Sequence, residues 1–244
     1  MEKVGAIVLA AGKGSRMKSK DANKVTLMLA DKPMIVHSVE LLEKVDVHPI
    51  VIVVGFAKES VMNILGERVY FAEQTKRLGT AHAAQKGLEK IPSDISHVII
   101  LNGDDSAFYT PEVLKKLMQK HITSGAALTM LTLSVQNPSG LGRIVRDKDN
   151  NLLNVVEEKD ATEVQRRINE INPGCYLFTT TFLKKFLPKI TKSLVTGEYY
   201  LTSLVDLAIH NNQRVETLHE TSMPWRGVNT KEELEEARGM FLNK

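Results

Sequence analysis

One cysteine in 244 residues excludes an internal disulfide and leaves no thiolate cluster for a metal. That residue, Cys175, lies in the apolar run INPGCYLF, where a buried, inert thiol is expected. An excess of one charge is also missing. The 32 basic and 29 acidic residues leave a formal charge of +3. This is too even for a nucleic-acid-binding protein, so any electropositive site must be local. The apolar run near the start, KVGAIVLAA, is too short for a membrane span and carries no signal-peptide pattern. A cytoplasmic protein with no membrane partner is expected. Low-complexity segments, long linkers and short-period repeats are lacking as well. What remains is 43% hydrophobic and 25% charged, enough for one large or two small cores.

The first half alternates two textures. GAIVLAA, PIVIVVG, RVYFAEQ and SHVIILNGD read as strands, with helices near Met34–Val45, Lys58–Leu65 and Thr80–Leu88 between them. The strand runs are nearly continuous in Val and Ile, as expected where both faces are covered. Such alternation predicts βαβ units and a mostly parallel sheet. Asp31/Pro33 and Thr110-Pro111 read as helix starts. After Ser124 the strand-like runs GAALTMLTLSV, LGRIVRD, NLLNVVEE and EINPGCYLF are separated by polar turns, which suggests a second lobe with antiparallel character. TKEELEEARGMFL closes the chain as a helix, with Thr230 and Glu233 as its capping box.

In open parallel sheets, ligands collect at the carboxyl ends of strands. Three of those ends carry unusual residues. LAAGKGSRMKSKDANK, Leu9 to Lys24, is glycine-bearing and basic. Gly12 and Gly14 would bring phosphate oxygens close to main-chain N–H groups, with Arg16 and Lys24 supplying charge. A solvated basic turn is the plainer reading of a bare GxG. The loop is neither a Walker A motif nor a GxGxxG fingerprint, which counts against P-loop NTPases and nicotinamide dehydrogenases. Next, the LNGDD run places Asp104 and Asp105 just beyond a strand, suited either to Mg²⁺ or to capping the next segment. Finally, in EQTKRLGTAHA, Gln74 carries the donor and acceptor needed to read a base edge, ahead of a helix with free N-terminal amides. His82 reads as structural rather than as an acid–base group.

LAAGKGSRMKS with Lys24, EQTKRLGTAHA, GLGRIVRD, VVEEKDA, EINPG, GEYYLT and GVN run in order from about residue 3 to 235. This series resembles the sugar-1-phosphate nucleotidyltransferases, within them most nearly the pyrophosphorylase domain of bifunctional N-acetylglucosamine-1-phosphate uridyltransferases. The resemblance implies a Rossmann-like α/β fold, with a mixed, mostly parallel central sheet flanked by helices and a smaller sugar-binding lobe. One domain would span residues 1–244: about 1–124 for the nucleotide, 125–228 for the sugar and 229–244 for the C-terminal helix.

By the same resemblance, Arg16 and Lys24 are the catalytic cations, and Leu9, Ala10, Ala11, Gly12 and Gly103 approach the nucleotide. Gln74, Gly79 and Thr80 would read a pyrimidine. Gly142, Glu157, Asn172 and Thr202 would form the sugar pocket, and Asp104 and Asn229 would hold Mg²⁺. The implied reaction is attack of a sugar-1-phosphate, with N-acetylglucosamine-1-phosphate the sugar of the family it resembles most, on UTP. Other nucleotides or sugars, such as dTTP with glucose-1-phosphate, fit the same residues, and so does a non-catalytic nucleotide-sugar sensor. Monomer and homo-oligomer both remain open. The chain departs from the family pattern at Asn102–Ala107, where Tyr-Gly-Asp-Val-Pro-Leu is usual, and at Asn23, where proline is usual. It also has Thr202-Ser203 where Thr-Asp is usual. The hexapeptide repeats of the bifunctional enzymes' β-helix do not occur in these 244 residues, so acetyl transfer is not expected of them.

Overall fold

The computed structural model describes residues 2–14, 22–221 and 223–242. Strand β1 (Val4–Ala10) leads to the short pair β2 (Met28–Leu29) and β3 (Lys32–Pro33), then α1 (Met34–Lys44) and β4 (Ile50–Val54). Next come α2 (Lys58–Leu65), β5 (Tyr70–Glu73), α3 (Thr80–Leu88), β6 (His97–Asn102) and α4 (Pro111–Ser124). The later half contains β7 (Leu128–Ser134), β8 (Gly142–Arg146), β9 (Leu152–Val156), α5 (Glu163–Arg166) and β10 (Glu170–Asn172). It ends with β11 (Cys175–Thr179), α6 (Thr180–Phe186), α7 (Ser203–His210), β12 (Val215–Glu220) and α8 (Lys231–Leu242).

The main sheet runs β5-β4-β1-β6-β11-β7-β10-β8-β9, with β12 beside β7. Strands β5, β4, β1 and β6 are parallel. β4, β1 and β6 carry their side chains alternately into two cores, whereas the edge strand β5 leaves Tyr70 and Glu73 exposed. Ala6, Val8 and Ala10 of β1 pack with α1 and α4, whereas Ile7 packs on the other face with Val53 and Ala84 of α3. Burying each such aliphatic side chain is worth roughly 1.5–3 kcal/mol. The strand bodies are therefore firmly placed, and the loops at their ends are left to carry polar groups. The continuous apolar texture has the expected cause in β1, β4 and β6, but not in β5.

The change of texture after Ser124 marks a reversal of strand direction inside one sheet, not a gap between sheets. β11 joins the parallel half by pairing antiparallel with β6, and β8, β9 and β10 continue the antiparallel pattern. EINPGCYLF is not one strand. Pro173 lacks an N–H to donate, and Gly174 takes a positive φ of 80°, so the run divides into β10 and β11. Both pair with β7, at Leu133–Ser134 and Leu128–Met130 respectively. β12 lies parallel to β7, a pairing that its weakly apolar sequence VETLHE does not announce.

The helix starts divide. Thr110 caps α4 by accepting from Val113 N–H. Pro33 occupies the N-cap of α1 with no side-chain hydrogen bond, and Asp31 lies outside the cap. Cys175 is fully buried, and burial pushes its thiol up. No helix among the described residues is long and apolar enough to cross a membrane.

Candidate active site

The loops after β1, β5 and β6 face β8, β9, β10 and the segment before α7 across a cleft of about 640 Å³. Asn23, just before Lys24, is almost fully buried. Asn23 Nδ2 donates to the carbonyls of Ala10 and Phe56, each at 2.8 Å, while its Oδ1 accepts from Val25 N–H. Its backbone N–H donates to Ser60 Oγ. Where the family usually has proline, this chain thus has a side chain that ties position 23 to the end of β1 and to Phe56. Gly14 has a φ of 57°, and a Cβ there would lie 3.0 Å from Lys24 Cβ. Gly12 differs: a Cβ there would meet nothing within 4 Å, so the space beside it is open to a ligand.

Lys24 follows Asn23 and reaches the centre of the cleft. Its ammonium pairs with Asp104 Oδ2 and lies 3.3 Å from Asn229 Oδ1. Residues 80 and 205 positions apart from Lys24 thus converge on one cation. Asn229 is positioned by the start of α8. Glu233 accepts from the N–H groups of Asn229 and Thr230, and its own N–H donates to Thr230 Oγ1, which completes the expected capping box. Among the described residues, no three His, Cys, Asp or Glu side chains cluster to hold a metal. Asp104 Oδ2 and Asn229 Oδ1, both turned to the Lys24 ammonium, are oxygen donors of the kind that suits Mg²⁺, which takes few protein oxygens and fills its remaining positions with phosphate and water. Asp105 is buried with Oδ1 unpartnered. Burial, together with the charge of Asp104, pushes its carboxyl up.

Gln74 and Gly79 form the third corner. Gln74 Nε2 donates to the Gly79 carbonyl at 3.0 Å, and the Gln74 backbone N–H donates to Val54 O. Gly79 has a φ of 108°, and a Cβ would stand 2.4 Å from Tyr199 O, so only glycine fits. The first turn of α3 is strapped to residues 199–201. Ala81 N–H donates to Tyr199 O, and Thr80 Oγ1 accepts from Leu201 N–H. This corrects one expectation, because the Ala81 amide is not free for a ligand.

Across the cleft, Gly142 and Asn172 are register partners in β8 and β10. Thr202 Oγ1 donates to Glu157 Oε1 at 2.9 Å. Asn172 donates to the Tyr176 hydroxyl and accepts from Gly174 N–H. Burial raises the pKa of Glu157 above its ordinary range, with the Thr202 hydrogen bond opposing the shift. Behind them, buried Arg143 pairs with Glu158 at 2.7 Å, and Glu158 accepts from Gly140 N–H, which props the rim.

Leu9, Ala10, Ala11, Gly12, Lys24, Gln74, Gly79 and Thr80 all line the cleft, as do Asp104, Gly142, Glu157, Asn172, Thr202 and Asn229. Gly103 does not. Its N–H donates to Leu9 O, and a Cβ would lie 3.1 Å from Ile35 Cδ1, so β1 and α1 leave little room for a side chain there. Arg16 lies outside the described residues. Arg77, Asn102, Tyr176 and Tyr200 also line the cleft, although the sequence did not single them out. Arg77 and Tyr200 sit inside or beside motifs already noted. Tyr176 was hidden by the reading of EINPGCYLF as one strand.

A family described as nucleotidyl transferase matches residues 5–243. The bifunctional protein GlmU of Caldicellulosiruptor saccharolyticus is 42% identical over 231 residues, 93% of this chain and 50% of the relative. GlmU of Thermoanaerobacter pseudethanolicus is 39% identical over 244 residues, 100% of this chain and 53% of the relative. The chain spans about half the length of the curated relatives it matches. In structure, it is similar to a Bacillus anthracis protein assigned as a glucose-1-phosphate thymidylyltransferase and solved with sucrose. That match has a TM-score of 0.81 at 22% identity and covers 97% of this chain and 94% of the other.

Proposed function

The chain belongs to the nucleotidyl transferase family, and from that premise we propose that it transfers a uridylyl group from UTP to N-acetylglucosamine-1-phosphate in the cytoplasm. The observation that carries this reading is the meeting of Lys24, Asp104 and Asn229 below the glycine-bearing turn. GlmU relatives near 40% identity favour the uridine nucleotide and the acetylated sugar.

A sugar-phosphate oxygen attacks the α-phosphorus of UTP in line. The new P–O bond forms as the α–β bridge breaks, and its electron pair leaves with pyrophosphate. The nucleophile is already an anion, so no base has to remove a proton. The obstacle is repulsion between two polyanions, and positioning with charge neutralisation removes it. Lys24 and Arg16 bring positive charge to the phosphates, while the open side of Gly12 admits them. Asp104 and Asn229 would hold Mg²⁺, which when bound neutralises and orients phosphate oxygens. Glu157, Asn172 and Thr202 offer polar groups to sugar hydroxyls and the N-acetyl arm, with Gly142 leaving room.

Pyrophosphate release over a panel of nucleotides and sugar phosphates tests the reading. The expected maximum is with UTP and N-acetylglucosamine-1-phosphate. A maximum with dTTP and glucose-1-phosphate would move the assignment toward the chemistry named for the Bacillus anthracis protein. Release with no pair would leave a nucleotide-sugar sensor. Arg16→Ala should lower turnover on the order of 10²–10³-fold while the fold survives, and unchanged turnover would remove Arg16 from its role.

A further inference from the structure

The amide of Gln74 is fixed by its neighbours in a way that decides what it can offer a ligand. Its Nε2 lies 3.0 Å from the carbonyl of Gly79 and 3.0 Å from His82 Nδ1. A carbonyl oxygen only accepts, so the nitrogen of the amide must stand on that side. The second amide proton then points to His82 Nδ1, which must be the unprotonated ring nitrogen. His82 lies in the first turn of α3, whose position is set by the positive φ of Gly79 and the strap from Tyr199. Its ring makes a further hydrogen bond to the backbone at Lys76, and burial lowers its pKa, so the ring is neutral near neutral pH.

Both protons of the Gln74 amide are therefore committed within the protein. Only Oε1 remains for the cleft, and among the described residues nothing donates to it. The pairing expected of this glutamine, donor and acceptor together, is thus reduced to an acceptor. Arg77 lines the same cleft and can only donate. An acceptor that meets the ring nitrogen of a pyrimidine is complementary to a base that carries a ring N–H. Uracil and thymine carry it. Cytosine presents a bare ring nitrogen to that acceptor.

We propose that His82 is a positioning residue that locks Gln74 as an acceptor and so selects a base with a ring N–H against cytosine. This inference rests on the uridylyl-transfer reading and deepens it. An acceptor facing an acceptor leaves two buried groups unpaired, and sites built to hydrogen-bond a group reject the analogue lacking it strongly.

The test compares kcat/KM for UTP and CTP in the full chain, with His82→Leu and His82→Asn beside wild type. Leucine keeps bulk but accepts nothing, whereas the asparagine carbonyl can stand in for Nδ1. The wild type should prefer UTP by about 100-fold or more. His82→Leu should cut that ratio at least about tenfold, with KM for the sugar phosphate unchanged, and His82→Asn should restore most of it. A wild-type preference for CTP, a His82→Leu ratio equal to wild type, or an equal loss of both activities would overturn the proposal. Nitrogen NMR of the wild-type His82 ring gives a readout that needs neither variant to fold. Nδ1 unprotonated and Nε2 protonated is expected, and a protonated Nδ1 would overturn the lock. Should the wild type use neither UTP nor dTTP, the uridylyl-transfer reading fails while the ring tautomer still reports on the lock itself.

Discussion

The two halves of the sheet build their sides of the cleft by different means. In the parallel half, the strands β1, β5 and β6 stop short and hand the site to loops. Leu9 to Gly14, Gln74 to Thr80 and Asp104 supply backbone, one amide and charge, with Lys24 at the centre. In the antiparallel half, Gly142 and Asn172 belong to the strands themselves and face each other in register, and Glu157 follows directly on β9. Loops beyond strand ends can gather charges from distant segments, which suits phosphate. A strand face holds neutral polar groups at fixed spacing, which suits a rigid ring of hydroxyls. Among the described residues, only the first side carries a cation in its centre. The second carries a carboxyl kept above its ordinary pKa by burial.

The contrast can be broken most sharply at Lys24. Lys24→Ala should lower pyrophosphate release on the order of 10²–10³-fold while melting temperature changes little. Turnover near wild type would detach the central cation from the chemistry. Next in size is Asn23→Ala, which leaves the buried carbonyls of Ala10 and Phe56 without their donor. A loss of about 1–3 kcal/mol in urea unfolding is expected, with KM raised for the nucleotide and not for the sugar phosphate. Equal effects on both KM values would show that the two sides are not independent.

Gly142→Ala probes the other side. Its added methyl would sit 3.6 Å from both Asn172 Cβ and Glu157 Oε2, an ordinary contact that the fold accommodates. KM for the sugar phosphate should rise on the order of tenfold, with KM for UTP unmoved. The smallest effect concerns Glu157→Gln. Because the folded protein holds the Glu157 proton more firmly than the unfolded chain, wild type loses stability as pH rises through the raised pKa. Glutamine does not titrate. The melting temperature of the variant relative to wild type should therefore climb as pH rises above the ordinary carboxylate range, and a constant difference would show that the Glu157 pKa is not raised in the folded protein.

Much of this was legible from local chemistry. Continuous Val/Ile runs reported strands covered on both faces, and the Thr230/Glu233 pair reported the start of α8, because both signals act within a few residues. Helices Lys58–Leu65 and Thr80–Leu88 fall where the periodicity places them. Other features depend on partners far along the chain. β12 forms because β7 offers it an edge, so its own sequence says little. The tight approach of Ile35 to Gly103 likewise joins segments far apart in the sequence. Gln74 reads as a two-way hydrogen-bonding group until Gly79 and His82 take both its protons.

Residue types and their spacing set which chemistry was possible: cations after a buried strand, a carboxylate after another, and an amide near a glycine turn. Only the folded chain decided which atoms meet. Lys24, Asp104 and Asn229 come together because a right-twisted parallel sheet brings the carboxyl ends of non-consecutive strands to one edge, while α8 returns the chain to the same place. Hydrogen-bond direction was settled there too, since a donor is free or committed only with respect to its neighbours in space.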